Sequence, residues 1–360
     1  MPIPPYREIA CVADPVSPEL IDEQAYFLVN PDVRDAGMGA AEHFREHGQR
    51  EGRRQAVNLA EVHALREEKL SRLRFRRPPA PGRMPGEAMN FLTEDLIAEF
   101  RIPRHPPVSS HDYDGFLADM QRASPEKLFL DVGAGLRGTV TSNMVNMDVF
   151  AAVSTDVVGV GEELPFEDDQ FDFIVCGAVL EHTRRPWDVA REMCRVCKPG
   201  GTLRIDWPFI SPVHGYPSHY FNATPEGVIS LFEQYCDIAG STVEQHNHPI
   251  QGLWWILALW RSGLPPDGHA AFEAMTIGEI LARKPEELVT AEFCRLLNAE
   301  TQRIIPAGST LVATKRSAAA STSSLAAENA ALQESLRIMR ASTSWRITAP
   351  MRKILSGLRS

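Results

Sequence analysis

Between about residues 111 and 315 short apolar runs alternate with longer amphipathic stretches. Leu128-Phe129-Leu130, Met144-Val145-Asn146-Met147-Asp148, Val157-Val158 and residues 171–176, 202–206 and 309–314 each read as a short strand. Residues 186–197 carry helical periodicity, and residues 249–300 read as a helical insertion before the last strand. Strands that alternate with helices predict an α/β protein, a doubly wound, mostly parallel sheet covered on both faces. Around this core lie three segments of different character. Residues 1–57 carry two short helical patterns, at 21–28 and 41–47, broken at Asn30-Pro31 and closed by Gly48 and Gly52. Residues 58–110 open on a charged helical stretch and turn proline-rich, which predicts a linker with one short helix at 93–100. Residues 316–360 form a Ser/Ala-rich spacer, then apolar positions at 325, 332, 336 and 339 with two-heptad spacing, then an amphipathic end.

Composition narrows the class. The 360 residues are 44% hydrophobic and 23% charged, ordinary for a globular protein. A net charge of −10 argues against a general nucleic-acid binder, which needs cations to neutralise phosphates. The first residues lack a charged-then-apolar leader pattern, and the most apolar stretch, residues 253–260, is too short to span a bilayer, so a cytoplasmic location is expected. The tail reverses the sign, with seven Arg/Lys against two Glu. It reads either as a docking element for an anionic membrane face or a partner protein, through residues 325–360, or as a solvated disordered tail. Six cysteines are scattered, and Cys194-Arg-Val-Cys197 stands alone without a second pair, so buried thiols are expected there rather than a metal or redox centre.

Candidate chemistry begins at Asp131-Val132-Gly133-Ala134-Gly135. Glycines at the carboxyl end of a first strand let the backbone approach a ligand closely. Gly133, Gly135 and Gly138 also satisfy a dinucleotide fingerprint. Asp131 argues against that, because an acid repels a pyrophosphate and suits a ligand's ammonium group. A Tyr-x-x-x-Lys pair, expected of many sugar dehydrogenases and epimerases, is absent. Asp148 ends the second strand, where an acid accepts hydrogen bonds from ribose hydroxyls.

In order, the chain then carries Leu164-Pro165-Phe166, Phe171-Asp172, Leu180-Glu181-His182 and Lys198-Pro199-Gly200-Gly201. With the glycine loop, this series resembles the type-11 branch of class I S-adenosyl-L-methionine-dependent methyltransferases over residues 128–206. The resemblance implies a Rossmann-like fold of the class I methyltransferase type and S-adenosyl-L-methionine as cofactor. It implies that Asp131, Gly133 and Gly135 line the methionine end, that Asp148 holds the ribose, that the turn with Gly161 and Glu162 faces the adenine, and that Gly177 and Ala178 lie beneath the sulfonium. Two departures stand out. Val160 occupies the position where the family carries an acid for the adenine amino group, which leaves Glu162 or a backbone carbonyl to serve. Only 12 residues separate Gly135 from Asp148, so the first helix of the fold must be short or absent.

Methyl transfer from a sulfonium is an in-line displacement governed by positioning, and a hydroxyl acceptor also needs its proton removed. The loop after the fifth strand concentrates His214, Tyr216, His219 and Tyr220. His214 or His219 is expected as base or acceptor ligand, with His182 the other candidate, and Tyr216 and Tyr220 shaping the substrate pocket. His246 and His248 could join His214 and His219 only on paper, since no acid sits at a recognised ligand spacing, and no metal is expected.

Two terminal segments bear on the pathway. Tyr26-Phe27-Leu28, Pro31-Asp32-Val33, His43-Phe44, Gly48 and Glu51-Gly52-Arg53 resemble a small module of bacterial surface-glycan enzymes. Ser344-Trp345-Arg346-Ile347-Thr348-Ala349-Pro350-Met351-Arg352 resembles tails on bacterial glycosyltransferases. The expected function is therefore O-methylation of a sugar or glycan acceptor in surface-polysaccharide assembly, in the cytoplasm or peripheral to the inner membrane. Its rivals are a non-catalytic scaffold for glycosyltransferases and an NAD-dependent enzyme. Homo-oligomerisation is left open.

Overall fold

The computed structural model describes residues 5–15, 17–103, 109–110, 112–212, 214, 218–263, 270, 282–290 and 308–315. The strands are β1 (Glu8–Ala10), β2 (Val12–Ala13), β3 (Gln55–Ala56), β4 (Met89–Asn90), β5 (Phe129–Val132), β6 (Thr139–Thr141), β7 (Met144–Asp148), β8 (Val157–Val158), β9 (Phe171–Gly177), β10 (Cys197–Pro208), β11 (Cys236–Thr242) and β12 (Gly308–Lys315). The helices are α1 (Glu23–Val29), α2 (Pro31–Asp35), α3 (Ala40–His43), α4 (Gln49–Glu51), α5 (Leu59–Ser71), α6 (Glu94–Phe100), α7 (Gly115–Ala123), α8 (Pro186–Val196), α9 (Pro225–Phe232), α10 (Pro249–Gly263) and α11 (Pro285–Leu288).

One eight-stranded sheet has the order β11-β12-β10-β9-β5-β7-β8-β4. Its strands are parallel except β12, which runs antiparallel to both β10 and β11. This is the doubly wound, mostly parallel architecture that the alternation predicts. β5 is buried along its whole length and β9 nearly so, which is why both read as continuous apolar runs rather than alternating ones. The strand order reverses between β5 and β9, and such switch points open a crevice at the carboxyl ends of the strands.

The helix expected to be short or absent after the glycine loop is absent. Between Gly135 and β7 the chain instead forms β6, which pairs antiparallel with β1. Helix α5 covers the place. Its Val62 and Leu65 pack with Val140 of β6 and with Cys11, while its Lys69 Nζ donates to Met144 O at 2.8 Å and to Asp156 Oδ2 at 2.5 Å. Within the segment expected as a proline-rich linker with short helices, 58–110, lie α5, α6 and also β4, an edge strand parallel to β8. The segment's prolines rule out long helices, yet two residues of extended chain suffice to pair with an open sheet edge. α6 forms where the sequence places it, with the Thr93 hydroxyl accepting from Leu96 N. Met1–Lys315 make one compact unit, and the tail with its heptad pattern lies outside the described residues.

The N-terminal motif residues build their own small core. Tyr26, Val33, Ala40 and Phe44 are buried together, and the Tyr26 hydroxyl meets His43 Nδ1 at 2.9 Å. A Cβ at position 48 would lie 2.6 Å from that hydroxyl, so only glycine fits. Arg53 grips Asp32 with two hydrogen bonds, at 3.0 and 2.8 Å. The motif is a packing signature, which explains its spacing without assigning it any chemistry.

Candidate active site

A cavity of about 400 Å³ opens at the carboxyl ends of β5, β7, β8 and β9, within the size range of small-molecule sites. One end is the glycine loop. Gly133 and Gly135 have φ of +79° and +61°, and both line the cavity. Gly133 N and Ala134 N donate to Met147 O, and Gly135 N donates to Asp148 Oδ2 at 2.8 Å, so the loop is strapped to the end of β7. A Cβ on Gly133 would fall 2.2 Å from Val179 Cγ2, and one on Gly135 2.5 Å from Ser109 O. Glycine is needed at both positions because neighbouring protein atoms occupy the space a Cβ would take.

Asp148 lines the middle of the cavity. Its other oxygen accepts from Phe150 N at 3.0 Å, and burial raises its carboxyl against the lowering effect of these amides. Beyond it Gly161 and Glu162 form a wall, joined by Phe100, Ile102 and Val149. Burial raises the Glu162 carboxyl as well. Val160 faces away from the cavity and packs with Leu96 and Phe100. Glu162 lines the cavity, and so does Gly161, which offers only backbone there.

Two cofactor candidates sit behind the lining. Asp131 is fully buried, and its Oδ2 accepts from Tyr113 Oη at 3.1 Å and from Arg137 Nε and a terminal Arg137 nitrogen at 3.0 and 2.7 Å. Its charge is thus balanced by Arg137 rather than presented to the cavity, which sequence proximity could not reveal. Asp131 Oδ1 is buried without a hydrogen-bond partner among the described residues. Gly177 ends β9 beside Asp206, and Ala178 and Val179 after it reach the cavity. Ala178 has φ of +54°, a left-handed conformation costing a non-glycine residue roughly 1–2 kcal/mol, held by Ala178 N donating to Asp206 O.

The far end gathers the histidines. His182 and His214 line the cavity, their rings T-shaped at 4.8 Å between centroids, and Trp255 of α10 lies 4.9 Å from the His214 ring. His182 Nδ1 faces Ser218 O at 2.8 Å and His214 Nδ1 faces Pro212 O at 2.9 Å, so both carry their proton on Nδ1 and turn a lone pair outward at Nε2. His219 differs: its Nδ1 accepts from His214 N and its Nε2 donates to Asn222 Oδ1 at 2.6 Å. Both its nitrogens are used in holding the loop. Burial, with the neighbouring His214 and His219, holds His182 down to about 4 against the raising effect of the Ser218 carbonyl, so the ring is neutral at pH 7. Tyr220 N donates to Glu181 O, and Tyr216 lies outside the described residues.

Glu181 was not singled out from the sequence. It is fully buried beside His182, neither carboxylate oxygen has a hydrogen-bond partner among the described residues, and burial pushes its carboxyl up to about 8. His246 is elsewhere, bound to Asp206 Oδ1 at 3.1 Å. The five cysteines among the described residues are buried and outside any disulfide, with Cys194 and Cys236 sulfurs 3.6 Å apart.

Residues 130–205 match the family model described as a methyltransferase domain. An uncharacterized methyltransferase of Mycobacterium tuberculosis is 33% identical over 95 residues, covering 25% of this chain and 33% of that protein. One from Mycolicibacterium paratuberculosis is 32% identical over 107 residues, covering 29% and 37%. The chain thus spans about a third of the length of the curated relatives it matches. Among solved structures, the YcgJ protein of Bacillus subtilis is similar with a TM-score of 0.31 and 18% identity, over 56% of this chain and 98% of that one. A phosphoethanolamine N-methyltransferase of Haemonchus contortus, solved with S-adenosylhomocysteine, is similar with a TM-score of 0.30 and 16% identity, over 56% and 52%. The matched family segment runs from β5 to β10 and contains the glycine loop, Asp148, Glu162 and His182.

Proposed function

We propose that the protein transfers a methyl group from S-adenosyl-L-methionine to a hydroxyl of a sugar or glycan acceptor. The observation that carries the methyl-transfer part is the cavity at the β5/β9 switch point, whose lining includes Gly133, Gly135, Asp148 and Glu162 from the segment that matches the methyltransferase family. The residues that line the cavity fit the cofactor: Gly133 and Gly135 give a backbone surface at the methionine end, Asp148 suits the ribose, and Gly161 with Glu162 suits the adenine, while Asp131 stands behind the lining. When bound, the cofactor supplies an electrophilic methyl group on a sulfonium. The chain's own contribution is to hold the acceptor in line and to activate its hydroxyl. His182 and His214 stand at the acceptor end with outward lone pairs, while His219, using both ring nitrogens in the loop, is a positioning residue.

Calorimetry with S-adenosyl-L-methionine, S-adenosylhomocysteine and NAD tests this. Binding of the first two and not the third is the expected result, and no binding of either adenosyl compound refutes it. The acceptor class rests on the two terminal resemblances, and mass spectrometry of surface glycan from cells with and without the protein checks it. The basic segment 325–360 is read as a docking element for an anionic membrane face or a glycosyltransferase; no pull-down by anionic vesicles at low salt removes the membrane option. Among the described residues no helix is long and apolar enough to cross a membrane.

A further inference from the structure

We infer that Glu181, His182 and His214 form a binding site for a divalent transition-metal ion at the acceptor end of the cavity. One ligand atom from each lies within 4.8 Å of the others, and His182 Nε2 is 3.8 Å from Glu181 Oε1. Ligands about 2.1 Å from a shared tetrahedral ion stand roughly 3.4 Å apart, so these side chains need to close by at most about 1.4 Å.

Three independent features point to a ligand rather than to packing. The Glu181 side chain is 0% exposed, yet both its oxygens lack a hydrogen-bond partner among the described residues. A buried carboxylate is costly unless something pairs with it. Both histidines give Nδ1–H to a backbone carbonyl, which fixes the ring and aims the Nε2 lone pair, the arrangement that supports metal-bound imidazole. Both rings also line the cavity, so coordination positions opposite the protein stay open to a ligand. Two imidazoles and one carboxylate with open positions suit zinc, cobalt, manganese or ferrous iron rather than magnesium or calcium.

The site itself does not depend on the methyl-transfer reading, but its role does. An acceptor hydroxyl oxygen bound to the dication loses its proton to water at a lower pH. The resulting alkoxide forms the O–C bond to the methyl group as the C–S bond breaks and its electron pair stays on sulfur. His182 and His214 then act as ligands, and no histidine has to take the proton.

The test is titration of the full-length, metal-stripped protein with Co²⁺ and with Mn²⁺, followed by visible absorption, electron paramagnetic resonance and calorimetry. One equivalent should bind, with a cobalt spectrum free of thiolate charge-transfer bands, which separates this site from the buried cysteines. His214→Ala and Glu181→Gln should each weaken binding at least about tenfold, while His246→Ala should leave it unchanged. Thermal melts establish that each variant is folded, and His214→Ala, in a loop, carries the test where Glu181→Gln does not fold. Failure of wild-type protein to bind either ion overturns the site, as does unchanged binding in folded His214→Ala. Metal binding without S-adenosyl-L-methionine binding would instead sink the methyl-transfer reading and leave the site standing.

Discussion

Helix α5 is joined to the sheet by a buried charge cluster, and removing one member should show how far the N-terminal segment is part of the domain. The side chains of Lys69 and Asp156 are 1% and 2% exposed. Lys69 satisfies Asp156 Oδ2 and the Met144 carbonyl, and Asp156 Oδ2 also accepts from Asn146 N at 2.8 Å. Lys69→Met keeps the volume and removes the charge, leaving a buried carboxylate and a carbonyl without their cation. Loss of one partner of such a pair costs about 3–5 kcal/mol. Arg66 Nε stays 3.5 Å from Asp156 Oδ1, which offsets part of this, so the lower end, about 3 kcal/mol, is expected. For a unit of this size that lowers Tm by roughly 4–6 °C. Calorimetric melting at pH 7 measures it. Because the pair is buried, raising salt should leave the difference nearly unchanged. Adding Asp156→Asn to Lys69→Met should recover part of the loss by removing the stranded charge. A Lys69→Met protein melting within about 2 °C of wild type would refute the reasoning and return residues 58–71 to the status of a spacer.

Four further outcomes follow from the site and its surroundings. Gly133→Ala forces a left-handed φ of +79° on alanine, costing about 1–2 kcal/mol, and drives Val179 into the cavity; calorimetry should find S-adenosyl-L-methionine binding lost, and unchanged affinity would contradict the cradle. Val160→Asp, which writes the family's acid into this chain, should destabilise by about 3 kcal/mol or more because position 160 is buried against Leu96 and Phe100. Glu162→Gln, by contrast, should fold and weaken cofactor binding about tenfold, as expected for losing a charged hydrogen-bond acceptor; equal affinity in that variant would place the adenine contact elsewhere. The Asp206–His246 pair sets a pH window. The hydrogen bond to Asp206 raises His246 above its ordinary 6.5, so that contribution is present below 6.5 and is lost as pH rises through the folded value. Burial raises Asp206, but its bonds to His246 and Thr310 outweigh it and hold the carboxyl below 3.8, so this part is present above 3.8 and lost as pH falls. The stability difference between wild type and His246→Ala should peak near pH 5–6 and shrink on both sides. With the imidazole 48% exposed, it should stay under about 1 kcal/mol. A difference growing steadily up to pH 9 would rule the pair out.

Much of the fold was legible because a parallel sheet writes itself as periodic apolar runs. Residues 128–130, 144–148, 157–158 and 171–176 all read as strands, and each lies on an observed strand to within two residues. The missing helix was legible too, since 12 residues between Gly135 and Asp148 cannot hold a connection and a helix. What replaces that helix was not. α5 precedes the glycine loop by some sixty residues, and its stripe is interrupted by Lys69 and Arg66, charges that read as solvated until Asp156 is brought opposite them. β4 is two residues long and carries no pattern of its own; it is a strand only because β8 offers an open edge.

The site divides along the same line. The glycine loop and Asp148 could be named from sequence because each sits at a strand end, where position along the chain fixes position in space, and Glu162 could be named only through the family resemblance. Asp131 shows the limit: its place was legible, but Arg137 and Tyr113 take its charge, and only packing decides which neighbour an acid meets. The sequence also supplied the three histidines of the acceptor end without ranking them. Tertiary structure ranks them through hydrogen bonds, using both nitrogens of His219 and leaving Nε2 of His182 and His214 outward. Glu181 stayed hidden because it adjoins His182 in the chain, at no ligand spacing. Its carboxylate becomes meaningful only when folding buries it near a histidine 33 residues away, with no hydrogen-bond partner among the described residues.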